Sequence, residues 1–524
     1  MSEVIAQVSL AGLVARPKPI EDSVYVGKDV LDLLTGSMYL DPLNIYREYV
    51  QNAADSIDEA RDAGLPFPAG PQIAFEFNHQ ERSVRIRDCG AAIPAGDFVR
   101  RLTTIGASGK RGKKQRGFRG VGRLSGLGYC QELIFRSRAQ GEPKVSELRW
   151  DGRVLRDKMR DPAFIGGLAD IVAAAASQTR LPGDGFPERF FEVELRKVQR
   201  LRNDLLLNEA AIKDYLSQVA PVPFAPSFSH AEEIDAHLAR AGVGRTVDIQ
   251  FAGDPIPVLH RAVDEFPISD KVNDKITVIE PVEYFDSDGD LVATGWLGHH
   301  SYAGAISRRL GLGGVRLRCG NIQIGDERIL SQLFPEPRFS AWAIGDIHVI
   351  SPKIIPNGRR DEFEPSVHYA HLQNELTLTM KGIAQRIRSQ SLQRNRTKRV
   401  QVEVTAVDDW IAIAKDKKLH VALLPVVTAV AADRLQSAVK EVSKLDHDSE
   451  GRTAADARLA SFGKSLAKIG SKLSDSPVPT GKKGKVALQL QAALKTILTS
   501  SHTPKKGVDL ASKVLTAMEA ARGA

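Results

Sequence analysis

The chain has 524 residues, of which 42% are hydrophobic and 26% are charged, as expected for a globular protein of two to four domains. No run of about 18 apolar residues appears, and the N-terminus lacks a basic start followed by a long apolar stretch, so neither a membrane span nor a signal peptide is expected. The net charge of +8 is uneven, because residues 481–524 carry eight basic and two acidic residues.

The first 200 residues alternate helix and strand patterns. Apolar residues recur at helical spacing over 43–63, which predicts a long amphipathic helix. Apolar and polar residues alternate as in strands over 73–77, 83–87, 145–150, 154 onward and 190–195. The dipeptide Asp151-Gly152 is typical of a hairpin turn between two such strands. This order predicts an α/β sandwich with helices on one face of a mixed sheet.

The rest of the chain changes character twice. A helix over 208–219 leads to a strand-rich region that continues to about residue 363. From Ser366 the pattern is helical, with expected interruptions at the basic stretch 386–399 and at 471–484. We therefore predict an α+β protein with three domains: 1–200, an α/β middle domain over 208–390, and a helical region with a basic tail over 400–524.

The first chemical motif lies on the predicted N-terminal helix. Glu48, Asn52 and Asp55 are spaced i, i+4 and i+7, which aligns them on one narrow stripe beside the apolar face. A carboxylate there can activate a water, and an amide oxygen one turn later can bind Mg²⁺, a hard cation. Taken alone, the stripe also fits the polar side of an ordinary amphipathic helix.

The second motif runs from Asp88 through Gly90 and Ile93 to Pro94, directly after a strand. An aspartate at a strand end can accept a hydrogen bond from an exocyclic amine such as that of adenine. Gly90 would let the backbone approach a flat base closely. A plain Asp-x-Gly turn has the same residues.

The third motif is the glycine-rich stretch Gly117, Gly120, Val121 and Gly122. Closely spaced glycines expose backbone N–H groups that can cradle phosphates. No Gly-Lys-Ser/Thr follows, so this is not a Walker A loop, and it does not come early enough after a first strand for a dinucleotide-binding fingerprint.

Together and in this order, the three motifs resemble the GHKL ATPase superfamily, which includes gyrase-type topoisomerases, heat-shock chaperones, MutL-type repair proteins and histidine kinases. The resemblance covers residues 1–200 well and 208–390 loosely. It departs from the pattern in two places: Ala92 stands where the adenine turn has its second glycine, and the segment 185–195 lacks the later threonine. Both departures affect the part of adenine recognition that runs through a bridging water, and not the pocket itself.

The resemblance implies a role for each motif residue. Glu48 would be the general base, Asn52 the Mg²⁺ ligand and Asp88 the residue that reads adenine, with Asp55, Gly90 and Ile93 beside it. The segment 104–122 is similar to the lid of heat-shock protein 90 type chaperones. That likeness makes Ser108 and Lys110 candidate phosphate contacts, together with the glycine-rich stretch.

A second likeness to those chaperones lies downstream, from Gly314 to Asp361. It implies that Arg360, or its neighbour Arg359, reaches the γ-phosphate when the middle domain docks. An exposed Asn-Gly-Arg-Arg turn would have the same sequence.

These features predict a cytoplasmic, Mg²⁺-dependent ATPase with slow turnover. It would be a homodimeric, chaperone-like clamp on a client protein. The basic tail and the stretch 386–399 favour an alternative, an ATP-gated nucleic-acid clamp like MutL or MORC proteins in genome maintenance or phage defence; both basic stretches can also be merely solvated. A scaffold that binds ATP without hydrolysis is a third possibility.

Three widely spaced cysteines, Cys89, Cys130 and Cys319, indicate neither a disulfide framework nor a zinc site. We expect packed thiols in a reducing compartment, and no membrane partner.

Overall fold

The computed structural model describes residues 41–70, 72–104, 122–164, 166–253, 259–445, 450–473 and 482–523. The chain divides into two compact units, Met1–Gly382 and Ile383–Ala524. The first unit holds two β-sheets with helices. The second unit begins within a long helix, and its other described elements are helical as well. The predicted α+β class is confirmed.

The first sheet has seven strands in the order β5-β4-β3-β6-β2-β1-β7. They are β1 (Ile73–Asn78), β2 (Ser83–Asp88), β3 (Glu132–Arg138), β4 (Lys144–Asp151), β5 (Ala176–Pro182), β6 (Phe190–Arg196) and β7 (Ile249–Phe251). All neighbours are antiparallel except β1 and β7, which run parallel. The sheet is therefore mixed, as predicted.

Helices and sheet share one apolar core in this part of the chain. The α-helices among the described residues up to 240 are α1 (Asn44–Asp62), α2 (Ala95–Thr103), α3 (Gly152–Arg160), α4 (Leu168–Ala175), α5 (Glu209–Val219) and α6 (Ala231–Arg240). Along β2, the alternate residues Val84, Ile86 and Asp88 are buried. Because alternate strand residues point to one face, Asp88 points to the same side as the core residues.

The residues between those core positions form a charged ladder. Arg136 on β3 pairs with Glu147, Glu192 and Glu194 at 2.6–2.7 Å. Although burial works to lower it, these three carboxylates hold the pKa of Arg136 above its usual value. The sheet therefore has one apolar face and one face crossed by ion pairs.

The second sheet has five strands in the order β10-β11-β14-β12-β13, and a separate hairpin joins β8 to β9. They are β8 (Glu265–Ser269), β9 (Val272–Lys275), β10 (Val278–Phe285), β11 (Leu291–His299), β12 (Gly314–Cys319), β13 (Ile322–Ile324) and β14 (Ile344–Val349). Strands β12 and β14 are parallel. Ile234 and Leu238 of α6 belong to the core of this region.

The remaining helices are α7 (Val367–Ala414), α8 (Leu424–Val442), α9 (Glu450–Leu473), α10 (Lys482–Ser500) and α11 (Pro504–Gly523). The second unit has its own apolar core. The expected interruption at 386–399 is wrong, because α7 runs through it. That stretch contains no glycine or proline, and arginine is a good helix former.

One helical stretch, Val421–Val442, is long and apolar enough to be a candidate membrane span. The sequence expectation missed it because Asp433 and Arg434 interrupt the apolar run. Core helices meet the same two criteria, and Val427, Val430 and Ala431 are buried in the core of the second unit.

The predicted hairpin at Asp151-Gly152 is also wrong. Residues from Gly152 form α3, and the Asp151 side chain accepts hydrogen bonds from the N–H groups of Arg153 and Val154. Aspartate at this position caps a helix as readily as it begins a turn. The domain boundaries stay a prediction; β7, at 249–251, pairs with the first sheet although it follows residue 200.

Candidate functional site

Helix α1 carries the first group of predicted site residues. Its apolar side is buried in the core, and Glu48 and Asp55 are buried beside it, with only 6% and 4% of their surface exposed. Asn52 is half-buried. Asn52 and Asp55 line a pocket between α1 and the first sheet, which we call the helix–sheet pocket. Glu48 lies one turn before Asn52.

Asp88 ends β2 and contributes its carboxyl to the same pocket. Oδ1 of Asp88 accepts a hydrogen bond from the N–H of Gly90 at 2.9 Å. Burial raises the pKa of Asp88 to about 7, although the Gly90 hydrogen bond and the charge of Arg189 act in the lowering direction. The site therefore holds a carboxyl in surroundings dry enough to oppose its ionisation.

Gly90 lets the turn after β2 press against α1. A Cβ at this position would lie 2.2 Å from Oγ of Ser56 and 2.7 Å from the backbone nitrogen of Ile57. The N–H of Ala91 donates to the carbonyl of Ser56 at 2.9 Å. The close approach that the sequence ascribed to a base is thus used, in the structure, to dock helix and turn.

Ile93 is fixed by a reciprocal pair of hydrogen bonds. Its N–H donates to Oγ of Ser137 at 2.8 Å, and the Ser137 hydroxyl is within 2.9 Å of the Ile93 carbonyl. Ile93 and Ala92 also line the helix–sheet pocket. The turn from Asp88 to Ile93 is therefore anchored at both ends.

The helix–sheet pocket encloses about 820 Å³, part of it open to solvent. Its wall combines apolar side chains such as Phe135 and Val193 with the polar groups of Asn52, Asp55 and Asp88. Pockets for small ligands have this mixed lining of apolar side chains and a few polar groups. The chemistry of this lining fits a flat heterocycle with a polar edge.

Glu48 meets a cation from the far end of the first unit. Its Oε1 lies 3.2 Å from Nε of Arg360 and 3.9 Å from a guanidinium nitrogen of Arg47. Within the part of the chain that the structure describes, Oε1 accepts no hydrogen bond despite this proximity. On its other side, a Cβ on Gly122 would lie 2.2 Å from Oε2 of Glu48, so Gly122 leaves room for the carboxylate.

Arg360 lies in the loop between β14 and α7. Arg47 donates to the carbonyl of Arg359 at 3.0 Å, and the N–H of Gly325 donates to the carbonyl of Arg360 at 2.8 Å. Arg360 is buried, whereas Arg359 is exposed. Arg360 also has a φ of +57°, a left-handed conformation that non-glycine residues rarely adopt. Such strained residues are often found at functional sites.

The predicted lid lies mostly outside the described residues. Ser108, Lys110, Gly117, Gly120 and Val121 all fall there. Gly122, the last glycine of the stretch, begins a short 3₁₀ helix, Gly122–Gly128.

Residues 47–160 match the family model described as "Histidine kinase-, DNA gyrase B-, and HSP90-like ATPase". Chaperone protein HtpG of Verminephrobacter eiseniae is 30% identical over 139 residues, which covers 23% of this chain and 21% of that protein. Residues 47–160 are similar to GHKL-type ATPase domains. The resemblance to this superfamily, and to its heat-shock protein 90 branch, is confirmed.

Other HtpG chaperones resemble the chain over similar or shorter segments. The protein of Acinetobacter baylyi is 26% identical over 139 residues, which covers 23% of this chain and 22% of that protein. The protein of a Methylobacterium species is 32% identical over 91 residues, which covers 16% and 15%. The chain thus spans about a fifth of the length of the first two relatives.

Both departures from the motif pattern lie at the helix–sheet pocket. Ala92, in place of a glycine, has a φ of +63°, so the turn keeps a left-handed conformation that glycine adopts without strain. The segment 185–195 leads into β6, whose Phe191 and Val193 line the helix–sheet pocket. The strand thus contributes apolar contacts to the pocket.

Sequence reasoning missed several residues of the GHKL ATPase domain that line the pocket. Arg101 of α2 and Arg123 of the 3₁₀ helix are two of them. Burial and the charge of Arg101 lower the pKa of Arg123 to about 10. Both arginines flank the predicted lid, and two adjacent cations fit a phosphate chain. The one sequence signal that could have identified these two arginines is their position on either side of the glycine-rich stretch.

Proposed function

We propose that this protein hydrolyses ATP in the helix–sheet pocket, with Glu48 as general base and Arg360 as the γ-phosphate contact. The ion pair between Glu48 and Arg360, 3.2 Å long, is the observation that carries this proposal. It joins a carboxylate on the helix of the ATPase domain to an arginine more than 300 residues later in the chain. Support also comes from the burial of both side chains.

The remaining site residues bind different parts of ATP. Ionised Asp88 accepts a hydrogen bond from the adenine amine, while Asp55, Gly90 and Ile93 hold the surrounding turn and helix. Ser108, Lys110, Gly117, Gly120, Val121 and Gly122 are the proposed lid contacts to phosphate, joined by Arg101 and Arg123.

Mg²⁺, when bound, would neutralise part of the phosphate charge. Asn52 offers an amide oxygen for it. Among the described residues, no group of three or more His, Cys, Asp or Glu side chains is arranged to hold a metal. Mg²⁺ is usually held by one or two protein ligands together with phosphate oxygens of the substrate.

The pairing of Glu48 with Arg360 couples binding to chemistry. A γ-phosphate offers Arg360 a stronger partner, because Oε1 of Glu48 forms no hydrogen bond with it. Glu48 is then released to orient and deprotonate the attacking water. Rearrangement before each turnover would make hydrolysis slow.

For the biological role we propose an ATP-driven, chaperone-like clamp, homodimeric and cytoplasmic. The likeness to HtpG chaperones supports it. The alternative is a nucleic-acid clamp, which the basic residues of 481–524 favour. ATP-dependent suppression of client aggregation would support the chaperone, whereas a salt-dependent shift of DNA mobility would support the alternative.

The test of the catalytic proposal is Glu48→Gln, measured for ATP binding and for Mg²⁺-dependent hydrolysis. We expect binding within a few-fold of wild type and a loss of hydrolysis on the order of 10²–10⁴-fold. Glu59→Gln is the matched control, since Glu59 lines the pocket on the same helix and loses the same charge. Equal hydrolysis by Glu48→Gln and wild type would refute the assignment of the base.

A further inference from the structure

The interior of the second sheet contains more positive than negative charge. Arg261, Arg316 and Arg318 are buried, with 8%, 5% and 1% of their surface exposed. One buried carboxylate, Asp346, lies 2.6 Å from Arg261 and 3.0 Å from Arg318. Although burial works to raise it, the three guanidinium groups hold the pKa of Asp346 well below its usual range.

Arg316 is influenced by the charges of Asp346 and Glu327 but makes no ion pair with either. It donates to the carbonyls of Gly311 at 2.6 Å and Leu312 at 3.1 Å, and its Nε has no hydrogen-bond partner. Within the described part of the chain, no carboxylate lies within ion-pair distance of it. Glu327, a nearby acid, pairs with Arg308 at 2.5 Å instead. A buried charge whose counterions lie beyond ion-pair distance is costly, so an anion supplied from outside would stabilise this arrangement.

Arg316 is not sealed in the core but lines a pocket of about 1,150 Å³, part of it open to solvent, which we call the arginine pocket. Arg308, Arg328 and Arg338 also line it, against one acidic residue, Glu327, among the described residues of its wall. Four arginines against one glutamate leave an excess of three positive charges. The three outer side chains are 62%, 65% and 75% exposed, so they can close on a ligand.

We propose that the arginine pocket binds a ligand through phosphate groups. Arginine forms paired hydrogen bonds to phosphate oxygens, and an excess of several charges suits an anion with more than one charge. The ring of Trp342 also lines the pocket and offers an apolar surface beside the phosphates. The ligand could be a free phosphorylated compound or the backbone of a nucleic-acid strand.

This proposal does not depend on ATP hydrolysis. The residues that line the arginine pocket lie between 218 and 342, and none of them lines the helix–sheet pocket.

The experiment measures binding to the full-length chain of two probes, inorganic triphosphate and a fluorescein-labelled dT₁₂ strand, at matched ionic strength. The variants are Arg338→Ala and Arg316→Met. The matched control is Arg153→Ala, because Arg153 pairs with an acid two residues before it, as Arg338 does, but lies far along the chain from this pocket. All proteins carry Asp88→Asn, so that any contribution of the ATPase pocket is the same throughout.

We expect Arg338→Ala to bind at least one probe tenfold or more weakly than Arg153→Ala. Triphosphate should raise the melting temperature of the protein, and Arg316→Met should abolish that rise. If triphosphate binds and dT₁₂ does not, the ligand is a free phosphorylated compound. If dT₁₂ binds more tightly than triphosphate and its binding weakens with salt, the ligand is a nucleic-acid strand. Equal binding by Arg338→Ala and Arg153→Ala, or an unchanged response of Arg316→Met, would overturn the proposal.

Discussion

At the scale of single residues, the burial of the Asp88 carboxyl makes the stability of the fold depend on pH. Its carboxyl titrates near 3.8 in an unfolded chain and near 7 in the fold, because burial opposes ionisation. Between those pH values the folded state holds a proton that the unfolded state has lost. The contribution of Asp88 to stability is therefore complete below about pH 4 and is lost as the pH rises through 7.

We predict that Asp88→Asn raises the free energy of unfolding at pH 8 by an amount on the order of 2 kcal/mol, because it removes a buried charge. The same variant should lose ATP binding, because the Gly90 N–H engages the amide oxygen and leaves an NH₂ group, which cannot accept the adenine hydrogen bond, facing the pocket. Chemical denaturation of both proteins between pH 4 and 8 measures the effect. Wild type should lose more stability than the variant over that range, and parallel profiles would contradict the assignment.

At the scale of elements, the contact between α1 and the turn after β2 depends on a missing side chain. We predict that Gly90→Ala lowers the free energy of unfolding by about 1–3 kcal/mol, because its Cβ would lie 2.2 Å from Oγ of Ser56. ATP affinity should fall as well, since Asp88 lies in the displaced turn.

The matched control is Gly96→Ala. Gly96 lies in α2, and a Cβ there would meet nothing within 4 Å. Alanine favours helix over glycine, so this variant should be as stable as wild type or up to about 1 kcal/mol more stable. Thermal unfolding compares the two. If Gly90→Ala and Gly96→Ala melt together, the docking of helix and turn is not what Gly90 provides.

Elements that carry their own periodic signal were predictable from the sequence. The helix predicted over 43–63 is α1, Asn44–Asp62, and the strands predicted at 73–77 and 83–87 are β1 and β2. Errors occurred where one residue type serves two structures. Asp151 caps a helix where a turn was expected, and the charged stretch 386–399 continues a helix where a break was expected.

The candidate site divides in the same way. Asn52 and Asp88 were predictable as pocket residues, because one lies on a helix stripe and the other ends a strand. The contacts of Arg101 and Arg123 were not, since their approach depends on packing between elements that no local pattern encodes. Ala92 shows a third case, in which the sequence departs from the motif while the backbone keeps the left-handed conformation.

At the scale of the first unit, the fold connects residues that are far apart in sequence. Arg47 donates to the carbonyl of Arg359, 312 residues later, and Arg360 then reaches Glu48. The ATPase domain and the loop before α7 thus share one site. Catalysis should therefore depend on a residue outside residues 47–160, the segment that matches the ATPase family.

We predict that Arg360→Ala lowers kcat for ATP hydrolysis on the order of 10³-fold or more, because an arginine that neutralises the transferred phosphoryl group contributes that much in related chemistry. ATP affinity should change by only a few-fold, since the proposed adenine contact is Asp88. Arg359→Ala is the matched control: it removes the same charge from the adjacent, exposed position and keeps the backbone carbonyl that Arg47 binds. Steady-state hydrolysis and equilibrium ATP binding separate the outcomes. A large loss in Arg359→Ala with normal kcat in Arg360→Ala would move the role to Arg359, whereas normal kcat in both would mean that the loop serves stability alone.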